Sequence, residues 1–358
     1  MKYPITFRGA ILEAQNQPLA LEEVSFAGPL EAGQVLVRIH YSGICGKQVE
    51  EIEGTMGGDP YLPHFLGHEG SGIVVDVGPG VRKVSAGDPV VLHWVKGTGM
   101  DAPPPSYWRR GGRVNAGWVT TFNEYGVISE NRLTPLPPGT DLEAACLLGC
   151  AVTTGLGVVF HEGRIRPGDS VAIFGCGGVG VCAVQGAAMV GAHPLIAVDR
   201  KVESLALART FGATHTLDPA EVDVLAEIRG ITGGRGAESV IVATGDPQVI
   251  ENAIQASAVP GSVFLVGVPP AGTKIRVDPL EIHRRRTLLG SYGGGTIPDR
   301  DIPRYLGLYR EGRLRLKEMI FATVPLEKIN EGIAALHSGR AGRCVVKMVE
   351  DGSSAGRV

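Results

Sequence analysis

The hexapeptide Gly175-Cys176-Gly177-Gly178-Val179-Gly180 constrains this chain more than any other stretch. It directly follows the apolar run Val171–Phe174 and opens an apolar segment that reaches Gly191. In a G-x-G-x-x-G between strand and helix, each glycine has a physical job. Gly175 makes the tight turn, Gly177 lets the backbone approach a pyrophosphate, and Gly180 lets the helix pack closely on the strand. The amides at the helix start then face the anion, and the helix dipole adds to the attraction. Asp199 ends the next strand-like run, 19 residues after Gly180, where a carboxylate meets adenosine ribose hydroxyls. It would repel a 2′-phosphate, so NAD is favoured over NADP, although the basic Arg200 and Lys201 follow it. The competing reading is a glycine-rich turn plus an ordinary strand-end Asp, since the chain holds 52 glycines.

Downstream of this loop, short apolar runs alternate with helix-length segments. The runs are Val171–Phe174, Leu195–Val198, Thr214–Leu217, Val240–Ala243, Val263–Gly267 and Leu288–Tyr292. That alternation predicts βαβ units and a parallel sheet covered on both faces. Upstream, Val35–His40, Gly72–Val77 and Pro89–Leu92 are strand-like and bounded by Gly, Pro or Asp, which suggests a twisted sheet or partial barrel. Beyond residue 293, helical stretches over Asp301–Arg310 and Leu326–Ser338 precede a final strand, Cys344–Val349, and the tail Asp351–Val358 is expected to fray. The segment Lys96–Gly117 exceeds a normal connection and is expected to be functional or loosely ordered.

Length and charge narrow the function. A chain of 358 residues suggests two domains. With 34 basic and 37 acidic residues the net charge is −3, which argues against a nucleic-acid or anionic-membrane binder. The uncharged run Ala144–Phe160 has 17 residues and carries three Gly and two Thr, so a buried helix with its loop is expected and not a membrane span. Met1–Gly9 has no apolar core of the signal-peptide type. The six cysteines show no small-scaffold spacing, which favours a reduced, cytoplasmic setting with metal or structural roles.

Three scattered residues have metal-ligand chemistry: Cys45 in Gly43-Ile44-Cys45-Gly46, His68 in Gly67-His68-Glu69-Gly70, and Cys150 in Gly149-Cys150-Ala151-Val152-Thr153-Thr154-Gly155. Two thiolates and an imidazole suit Zn2+, neutralise its charge and leave a fourth position open. Spacing alone does not join them, and singly each reads as a buried cysteine or a satisfied histidine.

These motifs occur in one order along the chain, and together they resemble the zinc-dependent alcohol dehydrogenases of the medium-chain dehydrogenase/reductase superfamily. The resemblance continues through Leu265-Val266-Gly267-Val268, Glu327–Gly332 and Ser338-Gly339. It implies an α/β chain in which a GroES-like β catalytic domain, residues 1–151 and 293–358, surrounds a doubly wound Rossmann domain with a parallel sheet, residues 152–292. It implies a catalytic zinc on Cys45, His68 and Cys150, with Glu69 as the nearby acid and alternate ligand. Thr154 would lie beside the nicotinamide, Val266 and Val268 on the cofactor, and Arg343 on the pyrophosphate. The implied reaction is reversible hydride transfer between NAD(H) and an alcohol or carbonyl compound, in a homodimer or homotetramer.

The chain departs from that pattern in two places. It has no cysteine between 45 and 146, so the family's structural zinc is not expected. The family's proton-relaying Ser or Thr, two residues after the first ligand, is Lys47; the following residue, normally Asp, is Gln48, and a relay histidine found in some members is Glu50. A lysine near zinc and partly desolvated would serve as a base, unless Glu50 pairs with it. Trp94 corresponds to a substrate-lining position. Trp108, Trp118 and Tyr107 lie nearby with Arg109, Arg110 and Arg113, which suggests a bulky polar substrate, sugar-like or acidic. His93, beside Trp94, is expected either in the site or in the core. Two other readings stay open: a zinc-free NADPH-dependent reductase of the same superfamily, and an NAD-binding sensor or scaffold that has lost catalysis.

Overall fold

The computed structural model describes residues 2–349. The tail Asp351–Val358 lies outside the described residues. The chain divides into two compact units. One comprises residues 2–150, 297–338 and 343–349, the other 151–296 and 339–342.

The second unit is the doubly wound domain. Its six strands are all parallel, in the order His215–Leu217, Leu195–Val198, Val171–Phe174, Ala237–Val242, Ser257–Leu265, Arg286–Gly290. Val171–Phe174 and Leu195–Val198 are buried at every position, as strands covered on both faces must be. Asp223 and Asp246 accept backbone N–H bonds at the starts of the helices Val224–Ile231 and Pro247–Ala256.

Three strands begin earlier than their apolar runs. Glu238 and Ser170 bond each other at the base of the sheet, with Ser170 N to Glu238 Oε2 at 2.8 Å and Glu238 N to Ser170 Oγ at 3.0 Å. Arg286 donates to the Ser257 carbonyl at 2.9 Å. Polar side chains satisfied across the sheet extend strands beyond the reach of an apolar pattern.

The first unit contains a closed barrel and a second sheet. In that sheet Gln34–Ile44 lies between Glu69–Val77 and the chain's last described strand, Arg343–Lys347. Two aliphatic and aromatic clusters fill the unit. The long segment Lys96–Gly117 is neither loose nor strandless. Ser106–Arg109 and Gly112–Asn115 form a hairpin within the barrel. Tyr107 anchors it: fully buried, packed edge-on against Phe7 and Phe65, it accepts the Val127 N–H at its hydroxyl, 2.9 Å away.

The uncharged stretch Ala144–Phe160 forms short, almost wholly buried helical turns. Among the described residues no single helix is long and apolar enough to cross a membrane.

His93 belongs to the core. It is 1% exposed, with Nδ1 2.7 Å from the Val95 carbonyl and Nε2 3.0 Å from Thr134 Oγ1. A carbonyl only accepts, so the proton sits on Nδ1. Burial lowers its pKa to about 4. The unfolded chain therefore takes up this proton first, and stability present above pH 6.5 is lost as the pH falls toward 4. At ~1.4 kcal/mol per pH unit the loss is about 3 kcal/mol. Urea midpoints measured across pH 4–7 should fall for the native protein and fall less for His93→Gln.

Candidate metal centre and dinucleotide cradle

The metal candidates converge within the first unit. Cys45 follows the strand Gln34–Ile44 and caps the helix Gly46–Glu53. His68 follows Gly67, whose φ of +88° aims the chain into the strand Glu69–Val77. Cys150 follows the buried turn Cys146–Gly149. One ligand atom from each of the three lies within 4.8 Å of the others. This is a tight, soft donor set of two sulfurs and one nitrogen, which fits Zn2+.

The surroundings tune these ligands. Cys45 is held well below the usual thiol range by the Cys150 S–H donating to it and by the Arg343 and His68 charges, against the effect of burial. The same bond, with burial, pushes Cys150 well up. Arg343 is 3% exposed, its Nη2 3.6 Å from Cys45 Sγ and its Nε 3.1 Å from Oε1 of the fully buried Glu69. Arg343 thus joins Glu69 to Cys45 in this structure. The Gln48 side chain bridges the other two groups: Oε1 accepts the Cys45 N–H at 2.9 Å and Nε2 lies against His68 Nδ1. A metal on His68 Nε2 needs a proton on Nδ1, and so needs the Gln48 amide turned with oxygen toward it.

Lys47 lies one turn from Glu50 on the same helix, Nζ to Oε2 3.4 Å, with its side chain 28% exposed. Trp94 is half-buried beyond the strand Pro89–His93, its carbonyl bonded by the Arg132 guanidinium. A cavity of about 360 Å3 beside His68 is lined by Trp118, Gln48, Glu51 and Thr120, with Trp94 outside that lining. Arg109 is bound to Glu13 and Glu22, and Trp108 is exposed. Glu51 and Thr120 carry no motif. Only the helical spacing from Lys47 to Glu51 could have signalled the former.

The second unit holds the dinucleotide candidates. Gly175 has φ +87°, and a Cβ at Gly180 would lie 1.8 Å from the Gly175 carbonyl oxygen, so both must be glycine. Gly177, by contrast, would meet nothing within 4 Å. It faces open space at the start of the helix Gly178–Met189, whose first turn includes Gly178 and Val179. That is a cradle a side chain would fill and a pyrophosphate fits. Gly175, Gly177, Asp199, Arg200 and Lys201 line a cavity of about 340 Å3. Asp199 is oriented by its own backbone neighbours, accepting the Cys176 N–H at 2.7 Å and the Lys201 N–H at 3.0 Å. Val266 continues the sheet through a 2.9 Å bond to the Val242 carbonyl, and Val268 is exposed. The buried Thr154 hydroxyl has no hydrogen-bond partner among the described residues, as expected of a group kept for a ligand.

A Rossmann-type sheet and a GroES-like unit with a Cys2His centre define a zinc-binding dehydrogenase. Residues 31–138 match the alcohol dehydrogenase GroES-like domain, and residues 178–311 the zinc-binding dehydrogenase domain. The alcohol dehydrogenase class-3 of Cereibacter sphaeroides is 31% identical, across 95% of this chain and 99% of its own. The S-(hydroxymethyl)glutathione dehydrogenase of Haemophilus influenzae is 32% identical, across 96% and 97%. The crystal structure of an alcohol dehydrogenase zinc-binding domain protein from Burkholderia ambifaria superposes with a TM-score of 0.90 at 31% identity, across 97% of this chain and 100% of that one. The chain belongs to the zinc-dependent alcohol dehydrogenases of the medium-chain dehydrogenase/reductase superfamily, and it is an oxidoreductase of that type.

Elemental analysis of the purified protein should find zinc, and His68→Ala or Cys150→Ser should lose it. Gln48→Ala should weaken zinc affinity by about 10–100-fold in chelator competition, since an orienting partner is removed while every ligand remains.

Proposed function

We propose that the chain catalyses reversible, NAD(H)-linked oxidation of a bulky polar alcohol, with a single zinc ion on Cys45, His68 and Cys150. The observation that carries this reading is the meeting of those three ligand atoms within 4.8 Å. Zn2+ held there supplies a Lewis acid that lowers the pKa of an alcohol hydroxyl. The nicotinamide supplies the hydride acceptor. The chain's own residues do the rest. Gln48 orients His68. Glu69 and Arg343 set the charge around Cys45. Lys47 Nζ stands where relatives have a hydroxyl and, paired with Glu50, relays the alcohol proton by passing one of its own to the Glu50 carboxylate.

In the second unit, Gly177 and the first amides of the following helix receive the pyrophosphate. Asp199 accepts from the ribose hydroxyls and favours NAD. Thr154, Val266 and Val268 flank the cofactor. Convergent thiols and Asp199 both speak against a zinc-free NADPH reductase. Six free thiols suit a cytoplasmic setting. The edge strand Arg286–Gly290 has no partner on its outer side among the described residues, and Leu280, Ile282 and Leu289 are 47%, 40% and 40% exposed around it. We assign that edge to pairing with a second copy of the chain.

Lys47→Ala should lower kcat by about 100-fold and shift the alkaline limb of the pH–rate profile. A native profile in that variant would assign the proton to water. Gly177→Val should fold with the native circular dichroism spectrum yet bind NADH weakly by fluorescence titration. The native protein should use NAD in preference to NADP in kcat/KM.

A further inference from the structure

The cavity beside His68 has a lining that the reaction itself leaves unused. Glu51 is one helical turn beyond Lys47, and among the described residues no donor reaches its carboxylate. Thr120 is 4% exposed, and among the described residues its hydroxyl has no hydrogen-bond partner. A buried hydroxyl without a partner points to a ligand that supplies one. Trp118, 49% exposed, and Tyr61, 69% exposed, offer aromatic surface to the same cavity. The Arg132 guanidinium lies 5.7 Å from the Trp118 ring centroid. No lysine or arginine lines the cavity among the described residues, and Glu51 is its one carboxylate.

Each substrate class meets this lining differently. An anionic alcohol finds no cation and faces Glu51. A hydrocarbon alcohol leaves Glu51 and Thr120 without partners, and polar groups unpaired in a bound complex discriminate strongly. An ammonium would find Glu51, but also the Lys47 ammonium one helical turn away. A hydroxyl-rich molecule satisfies both groups and offers its C–H face to the aromatic rings.

We propose that this cavity selects a neutral, polyhydroxylated alcohol of the sugar or polyol class. Glu51 is its specificity-determining residue and accepts from a substrate hydroxyl, Thr120 pairs a second hydroxyl, and Trp118 stacks on the carbon face. This rests on the hydride-transfer reading above. It sets aside the acidic substrates that the neighbouring arginines suggested, because none of Arg109, Arg110 and Arg113 lines the cavity and Arg109 is held by Glu13 and Glu22.

The test uses the zinc-loaded, full-length chain and matched six-carbon probes. Glucitol and myo-inositol are compared with hexan-1-ol and cyclohexanol, and with 2-aminocyclohexanol as the cation. Tryptophan fluorescence titration reads binding without turnover, with Trp118→Phe as the control for the reporting ring. NADH formation reads kcat and KM. At least one polyol should bind and react about tenfold better than the hydrocarbon alcohols. Glu51→Leu should erase that preference through KM more than kcat, and Glu51→Gln should restore part of it. Equal binding of cyclohexanol and the polyols, tighter binding of the amino alcohol, or an unchanged preference in Glu51→Leu overturns the proposal. Turnover of simple alcohols alongside any of those results removes the pocket assignment and leaves the dehydrogenase reading standing. Polyol binding without turnover of any alcohol does the reverse.

Discussion

The buried ion pair between Glu69 and Arg343 is the interaction on which the metal centre depends. Both side chains are almost completely shielded from water, 0% and 4% exposed. Removing one partner would leave an uncompensated charge in a low dielectric, which is strongly destabilising. The pair also connects parts of the chain that are far apart in sequence. Glu69 adjoins the ligand His68, while Arg343 comes from the last described strand and reaches the sulfur of Cys45. It therefore fastens the sheet and biases a ligand toward its charged form at once. Gly43 and Gly149 reflect this crowding, since a Cβ at either would strike the Glu69 side chain or backbone.

The nucleotide unit was legible because its physics is local. A glycine loop, a following helix and an acid at the end of the next strand are each set by a few consecutive residues, and the structure gives Gly175 its positive φ and Gly180 its close packing. The metal centre was not legible in that way. Cys45, His68 and Cys150 lie on separate segments, and only family resemblance joined them before their coordinates did. The hairpin within Lys96–Gly117 was missed because its strands are four residues each and rich in Arg and Gly. Tyr107 holds it through tertiary contacts that leave no periodicity. Trp118 was recognised as an aromatic, but its place beside His68 depends on the barrel's closure.

Around the first ligand, the helix Gly46–Glu53 carries three substitutions relative to the family pattern, at Lys47, Gln48 and Glu50. They form a consistent set. Gln48 keeps contact with His68 although it lacks a carboxylate's charge, so the imidazole is oriented but polarised less. Lys47 and Glu50 supply a cation and an acid one turn apart. Burial raises the Glu50 carboxyl while the Lys47 ammonium draws it down. A neutral amide and a nearby ion pair thus stand where relatives have a carboxylate and a chain of relays.

The interleaving of the two units along the chain also has a consequence for biosynthesis. Nearly all of the nucleotide unit comes from one uninterrupted stretch, residues 151–296, and can assemble as that stretch leaves the ribosome. The other unit must wait. The strand Gln34–Ile44 is made before the nucleotide unit, yet its neighbour Arg343–Lys347 is made only after it. Until then the nascent chain displays all three metal-binding side chains without the guanidinium that partners Glu69. The unit that begins ahead of the nucleotide unit is therefore completed after it, and its thiols face a longer exposure to oxidants and stray metals before they are enclosed.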